Sequence, residues 1–213
     1  MKVNELTIME KTFLDGIILV TCQMVQKVDE ITEYSVLQLK PKSTQELPNF
    51  WGIVVKTQKE KGLFTIVLKN TALNEPLMIA PLLGINLAFE YKKLGRVLPP
   101  LVTKSMQKVM IIVDGFWIYL AAYIISTLKD AGCEVCISGP FSMKWLNTLS
   151  LTPADEIIPI DTFTSLGKEI ISSDADTLIS LNTPLWQRKI TSLMWSQKIN
   201  KYLITVNNQW LSS

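Results

Sequence analysis

Residues 108–139, KVMIIVDGFWIYLAAYIISTLKDAGCEVCISG, constrain the fold of this chain more than any other segment. The run KVMIIV has the unbroken apolar character of a strand covered on both faces. A tight turn follows, then an apolar stretch of helical length, then a second strand. The alternation continues to the end of the chain. Strands are predicted near 108–113, 133–138, 156–160, 177–181 and 201–206, with helices over 117–130, 142–149, 164–172 and 184–197. Strand alternating with helix predicts a parallel, doubly wound sheet. In such a sheet the first turn cradles phosphate when it is rich in glycine, because bare backbone N–H groups then reach the anion at the helix N-terminus. The turn here is Asp114-Gly115-Phe116-Trp117-Ile118-Tyr119. It keeps one glycine, adds a carboxylate and fills the remaining space with aromatic rings. The unit reads as architecture kept and a binding site lost.

Before about Thr103 the signals are those of strands. Residues 12–22 are rich in β-branched side chains, 34–39 alternate, and 52–55 and 63–68 flank the charged turn KTQKEKG as a hairpin. Residues 86–91 read as another strand and 77–83 as a short helix. Several short strands separated by turn signals predict an antiparallel barrel or sandwich. Pro99-Pro100 marks the boundary, since proline ends ladders and stiffens linkers. The expected domains are therefore 1–103 and 104–213, in a chain long enough for two small ones.

Composition narrows the chemistry. Lysine and arginine number 21 against 19 carboxylates, too even a balance for a nucleic-acid surface. Arg96 and Arg188 are the only arginines, which leaves little for bidentate phosphate recognition. The chain has no histidine. That removes the commonest general base and every Ser-His or Cys-His nucleophile pair. The three cysteines and the lack of a secretory pattern at the N-terminus point to a reducing cytoplasm. Cys133 and Cys136 form a C-x-x-C only formally, because residues three apart on a strand face opposite sides. The apolar run from Val109 to Leu128 is split by Asp114 and Gly115, and no membrane span is expected from it.

A barrel followed by a nucleotide-type α/β domain is the layout of the ferredoxin reductase superfamily. Within it, residues 24–210 resemble the electron-transfer subunit of dihydroorotate dehydrogenase. Val25-Gln26-Lys27-Val28 followed by Tyr34-Ser35-Val36-Leu37 is similar to that family's first barrel strands. Leu94-Gly95-Arg96-Val97-Leu98-Pro99 resembles its Pro-Leu-Gly-Arg-Gly-Phe turn. Residues 108–139 match the start of its nicotinamide domain. Asp176-Thr177-Leu178-Ile179-Ser180 with Pro184-Leu185 resembles the strand and loop that end near nicotinamide, and Tyr202-Leu203-Ile204-Thr205-Val206 its last strand.

The departures matter as much as the matches. Where the family's flavin motif carries arginine and a hydroxyl, this chain has Asn49-Phe50-Trp51-Gly52-Ile53-Val54. Where a Gly-Thr pair receives pyrophosphate, it has Asn74-Glu75-Pro76. The nicotinamide loop has become Asp114 to Tyr119, and the four-cysteine segment of the 2Fe–2S cluster is absent. Trp51, Gly52, Asp114 and Gly115 thus stand at degenerate cofactor positions. Asp114 reads as an acid, or as a cap of the following helix filling a former phosphate site. Phe116, Trp117, Tyr119 and Tyr123 read as flavin-stacking rings or as core. Asp155 and Glu156 read as an acid–base pair or a solvated turn, and Lys59 and Lys61 as a hairpin tip. Phe50, Trp51 and Trp210, large apolar groups at lost cofactor contacts, are candidate anchors for a partner surface.

The resemblance implies an accessory subunit of a dihydroorotate dehydrogenase complex in pyrimidine biosynthesis. FMN and the oxidation of dihydroorotate to orotate would belong to a catalytic partner chain. NAD and a 2Fe–2S cluster are not expected in this chain, no residue of it is expected to be catalytic, and FAD is left open. The alternative is a flavin reductase-like enzyme that binds FAD through unusual contacts.

Overall fold

The computed structural model describes residues 4–14, 17–25, 31–42, 49–69, 81, 83–99, 101, 105–114, 117–140 and 154–206. The chain divides into two compact units, and the change from one to the other falls between Val97 and Leu98.

The first unit is a closed six-stranded antiparallel barrel. Its strands are β1 (Glu5–Leu14), β2 (Ile17–Met24), β3 (Ser35–Lys42), β4 (Phe50–Gln58), β5 (Leu63–Lys69) and β6 (Ala88–Arg96). They close in the order β1-β2-β5-β4-β3-β6. Alternate residues of each strand point inward. Leu6, Ile8, Ile18, Val20, Leu37, Leu39, Phe50, Val54, Ile66, Leu68 and Phe89 form an apolar interior. The expected hairpin is β4 and β5. A single 3-10 turn, Lys59–Lys61, joins them, and Gly62 closes it at φ 64°, a backbone angle that glycine adopts without strain. Residues 12–22 are not one strand. They span the end of β1 and most of β2, which pair antiparallel from Leu6↔Met24 to Leu14↔Ile17. Of the short helix expected over 77–83, only residues 81 and 83 are described.

The second unit carries a five-stranded parallel sheet. Its strands are β7 (Lys108–Val113), β8 (Glu134–Gly139), β9 (Glu156–Pro159), β10 (Thr177–Leu181) and β11 (Tyr202–Thr205), in the order β11-β10-β7-β8-β9. The helices are α1 (Ile118–Asp130), α2 (Phe163–Ser172) and α3 (Pro184–Ser196). The helix expected over 142–149 lies outside the described residues. β7, β8 and β10 are buried almost throughout, whereas β9 and β11 at the edges are only half covered. That contrast explains why the three central strands read as unbroken apolar runs. Right-handed crossovers put α1 on one face and α2 and α3 on the other. There Leu166, Ile170, Ile190 and Met194 pack on Met110, Ile112, Cys136 and Leu178. Among the described residues, no helix is long and apolar enough to cross a membrane.

Candidate functional site

The strand order fixes where a ligand crevice lies in the α/β unit. The chain runs from β7 outward to β9, then returns to add β10 on the other side of β7. The reversal falls between the carboxyl ends of β7 and β10, the position at which open α/β sheets bind ligands. Asp114 follows β7 there, and Asn182-Thr183 follow β10.

These residues hydrogen-bond to one another. The Asp114 N–H donates to the Leu181 carbonyl at 3.2 Å. The backbone N–H of Thr183, the N-cap of α3, favours the charged form of the Asp114 carboxyl. The cap expected on the following helix is not formed by Asp114: the N-cap of α1 is Trp117, with no side-chain bond. Burial pushes the Asp114 carboxyl above its ordinary range, and the Thr183 N–H pulls it partly back. Asn182 is fully buried. Its amide donates to the Ile112 carbonyl at 3.3 Å, and its oxygen accepts from the Ser180 hydroxyl at 2.6 Å. Gln187 on α3 then donates to the carbonyls of Asn182 and Val206, at 3.1 and 3.2 Å. Side chains and backbone of the chain itself thus stitch β7, β10 and the residue after β11 together at the crevice. On the other flank, a Cβ on Gly139 would lie 1.9 Å from the Val113 carbonyl oxygen, so the backbones of β7 and β8 touch there.

Asp114 brings a carboxylate to the turn after β7, where the pyrophosphate of a pyridine nucleotide would be served by N–H donors. Gly115 and Phe116 lie outside the described residues.

On the barrel, the degenerate flavin positions have packing explanations. Phe50 was expected on a partner surface; instead it is buried and meets Phe89 edge-on, ring centroids 5.4 Å apart. The reason is register: Phe50 pairs with Leu39, and both face the interior. Gly52 also faces inward. A Cβ there would lie 2.3 Å from Ile66 Cγ2 and 2.7 Å from Leu68 Cδ2, so glycine leaves room for those two side chains. Trp51 alternates outward, opposite Gln38, and is half-buried. The outward positions Trp51 and Ile53 of β4 carry neither guanidinium nor hydroxyl. Trp210 lies outside the described residues.

The other candidates lie away from the crevice residues described above or in packing and surface positions. Asp155 accepts from Lys129 at 2.6 and 2.8 Å and from the Val135 N–H at 2.7 Å, clamping α1 and β8. Lys129, then the Val135 N–H, holds its carboxyl below the usual range. Trp117 is buried, and Tyr123 is half-buried with its phenol pushed up by burial. Lys59 and Lys61 sit exposed on the hairpin turn. Cys22, Cys133 and Cys136 are free buried thiols. Burial drives Cys22 and Cys136 up to about 12, away from reactive thiolates. Among the described residues no group of three or more ligating side chains could hold a metal.

Sequence reasoning passed over the most exposed aromatic groups of the described chain, Trp195 on α3 and Tyr202 on β11, 82% and 79% accessible. The signal was available: Trp195 stands seven residues after Arg188, on the same helix face.

No family profile and no curated protein sequence matches the chain. Solved structures do. A siderophore-interacting protein from Acinetobacter baumannii superposes with a TM-score of 0.65 at 14% identity, covering 96% of this chain and 89% of that one. An NADH-dependent reduced ferredoxin-NADP oxidoreductase gives 0.68 at 12% identity, covering 96% and 76%. A type IV self-sufficient cytochrome monooxygenase gives 0.64 at 12% identity over 94% of this chain, which spans only 28% of that longer protein. At these identities the likeness is one of architecture, and it matches the barrel and the parallel sheet described above. The chain has the ferredoxin reductase-like fold.

Proposed function

We propose that this chain is a non-catalytic accessory subunit of an oxidoreductase complex of the dihydroorotate dehydrogenase type. FMN and the oxidation of dihydroorotate to orotate belong, in this reading, to a cytoplasmic partner chain. The observation that carries it is the crevice at the strand reversal, where Asp114, Asn182 and Gln187 hydrogen-bond to the chain itself. A subunit that passed electrons from a nicotinamide would keep those donors for its ligand. The dihydroorotate dehydrogenase assignment rests on the order of the segments 25–37, 94–99, 108–139, 176–185 and 202–206. No step of the reaction is assigned to a residue of this chain.

Two measurements test this. Titration calorimetry with NADH should show no saturable binding up to about millimolar concentration, since like charges near 4 Å cost about 1–4 kcal/mol; micromolar affinity would sink the reading. Co-expression with a candidate FMN-bearing chain should give a co-eluting complex that oxidises dihydroorotate. Two chains that never associate would end the proposal.

A second reading, a flavin reductase-like enzyme holding FAD, is favoured by the intact barrel. The flavohemoglobin from Malassezia yamatoensis, which has this fold, carries bound FAD. Flavin assayed after acid extraction discriminates: stoichiometric FAD in the isolated chain favours the second reading, and its absence the first.

A further inference from the structure

The parallel sheet has two edges, and they are finished differently. β9 opens on Glu156 and ends on Pro159. A charge and a proline blunt an exposed edge, because both discourage another strand from pairing. β11 reads Tyr202-Leu203-Ile204-Thr205 and carries neither. Among the described residues it pairs with β10 alone. The Tyr202 N–H donates to the Asp176 carbonyl at 2.9 Å, and the Val206 N–H to the Ser180 carbonyl at 3.2 Å. Alternate residues of a parallel ladder bond to the same neighbour, so Tyr202, Ile204 and Val206 turn their backbone groups toward β10. Leu203 and Thr205 turn theirs to the open edge.

Those two residues fit a second copy of the same strand. With a twofold axis at Ile204, Leu203 of each copy stands opposite Thr205 of the other, and the pair exchanges both backbone bonds. Every open group of both residues is then used. Leu203 packs on the core beneath α2 and α3, which puts Tyr202 and Ile204 on the opposite face. There the two Ile204 side chains meet in the close, non-hydrogen-bonded position, and each exposed Tyr202 lies diagonal to the Ile204 of the other copy.

The α3 side is self-complementary too. A crossover helix runs antiparallel to the strands it joins, so Arg188 lies toward the Thr205 end of β11 and Trp195 toward the Tyr202 end. An open groove of about 490 Å³, with Arg188, Ser192 and Thr205 in its walls, marks the first end. The 82% exposed Trp195 marks the second. The twofold axis sets the Tyr202 end of one copy beside the Thr205 end of the other. It leaves both α3 helices on one face of the joined sheet, about two strand spacings or about 10 Å apart, the separation at which helices pack. Each Trp195 then reaches the groove of the other copy, where Arg188 offers a guanidinium to stack on the indole. Charge favours the same orientation. Exposed Asp174 and Asp176 lie at the Tyr202 end, and the groove at the Thr205 end has no carboxylate in its walls. Antiparallel pairing turns the carboxylates of one copy toward Arg188 of the other.

We infer that two copies of this chain pair β11 with β11 about a twofold axis at Ile204, joining their parallel sheets into one, with Trp195 of each copy seated in the α3–β11 groove of the other.

Sedimentation equilibrium of the purified full chain tests this with no FMN-bearing partner present. The wild type should be a dimer that dissociates on dilution. Thr205→Pro removes an N–H that faces the open edge and none that bonds β10, a position where a strand tolerates proline. It should keep the wild-type circular dichroism and sediment as a monomer. Trp195→Ala, a change at an exposed site, should raise the dissociation constant about 30-fold or more, because each dimer loses two anchors. Hydrogen exchange of the unmodified chain is a second readout. The Leu203 and Thr205 amides should exchange slowly in concentrated protein and fast on dilution, while the Tyr202 amide, bonded to Asp176, stays protected in both. A wild type that is monomeric at every concentration overturns the inference. So does a dimer that either variant keeps at full strength, or exchange at Leu203 and Thr205 that ignores concentration.

Discussion

The two units occupy their candidate cofactor positions in opposite ways. In the barrel the occupation is apolar: Phe50 turns inward onto Phe89, and the space a side chain would take at Gly52 belongs to Ile66 and Leu68. In the α/β unit it is polar: Asp114, Asn182 and Gln187 use their donors and acceptors on neighbouring backbone. An apolar closure depends on volume and strand register. A polar closure depends on every buried group finding a partner, since an unmade bond costs the full desolvation of the group left behind. The barrel position should therefore respond to added bulk, and the crevice to lost partners, with one exception where backbone meets backbone.

That exception is the largest expected effect. At Gly139 an added Cβ meets the carbonyl oxygen of Val113 at 1.9 Å and its carbon at 3.1 Å. Backbone cannot rotate away, and β7 is held by β8 and β10 on both sides. Gly139→Ala should lower unfolding free energy by about 3 kcal/mol or more. Gly52→Ala adds the same atom against Ile66 Cγ2 and Leu68 Cδ2, which belong to side chains that can change rotamer. A loss of about 1–3 kcal/mol is expected there. Urea unfolding of both variants checks the order. If Gly52→Ala proves the more harmful, the barrel and not the crevice is the stiffer region.

What could be read from the sequence divides along the same line. The parallel sheet was legible because β7, β8 and β10 are buried on both faces and spell that as unbroken apolar runs. Much of β1 was not, because Met9 to Phe13 are all exposed and show no alternation. The inward turn of Phe50 was invisible for another reason. Phe50 and Trp51 are neighbours of similar size, and only pairing with Leu39 decides which of them enters the barrel. Asp114 is out of place in a phosphate turn by its sequence alone, yet its bond to the Leu181 carbonyl joins segments far apart in the chain, which no local pattern encodes.

The crevice predicts a loss of similar chemistry at each partner. Asn182→Ala would leave the Ser180 hydroxyl without its acceptor and remove a donor from the Ile112 carbonyl, in a fully buried position. The expected cost is about 1–3 kcal/mol. Asn182→Asp keeps the shape and the acceptor for Ser180 but brings a charge and loses the donor, so it should be the worse of the two at neutral pH. Equal stability of the asparagine and alanine proteins in urea would show that the polar stitch contributes nothing.

The smallest effect has the opposite sign. Burial holds the Asp114 carboxyl above its ordinary range in the folded chain. Between the unfolded and folded values the native state binds the extra proton, so stability falls as pH rises through the folded value. The ionised carboxylate at neutral pH is therefore a burden, only partly relieved by the Thr183 N–H. Asp114→Asn keeps an oxygen for that N–H and discards the charge. It should melt slightly higher than the wild type at pH 7, and the gap should close as pH drops below the ordinary aspartate value near ~4, where both side chains are neutral. A variant that melts lower at pH 7 would mean that the charge is used, and that the crevice is built to hold a cation and not to be closed.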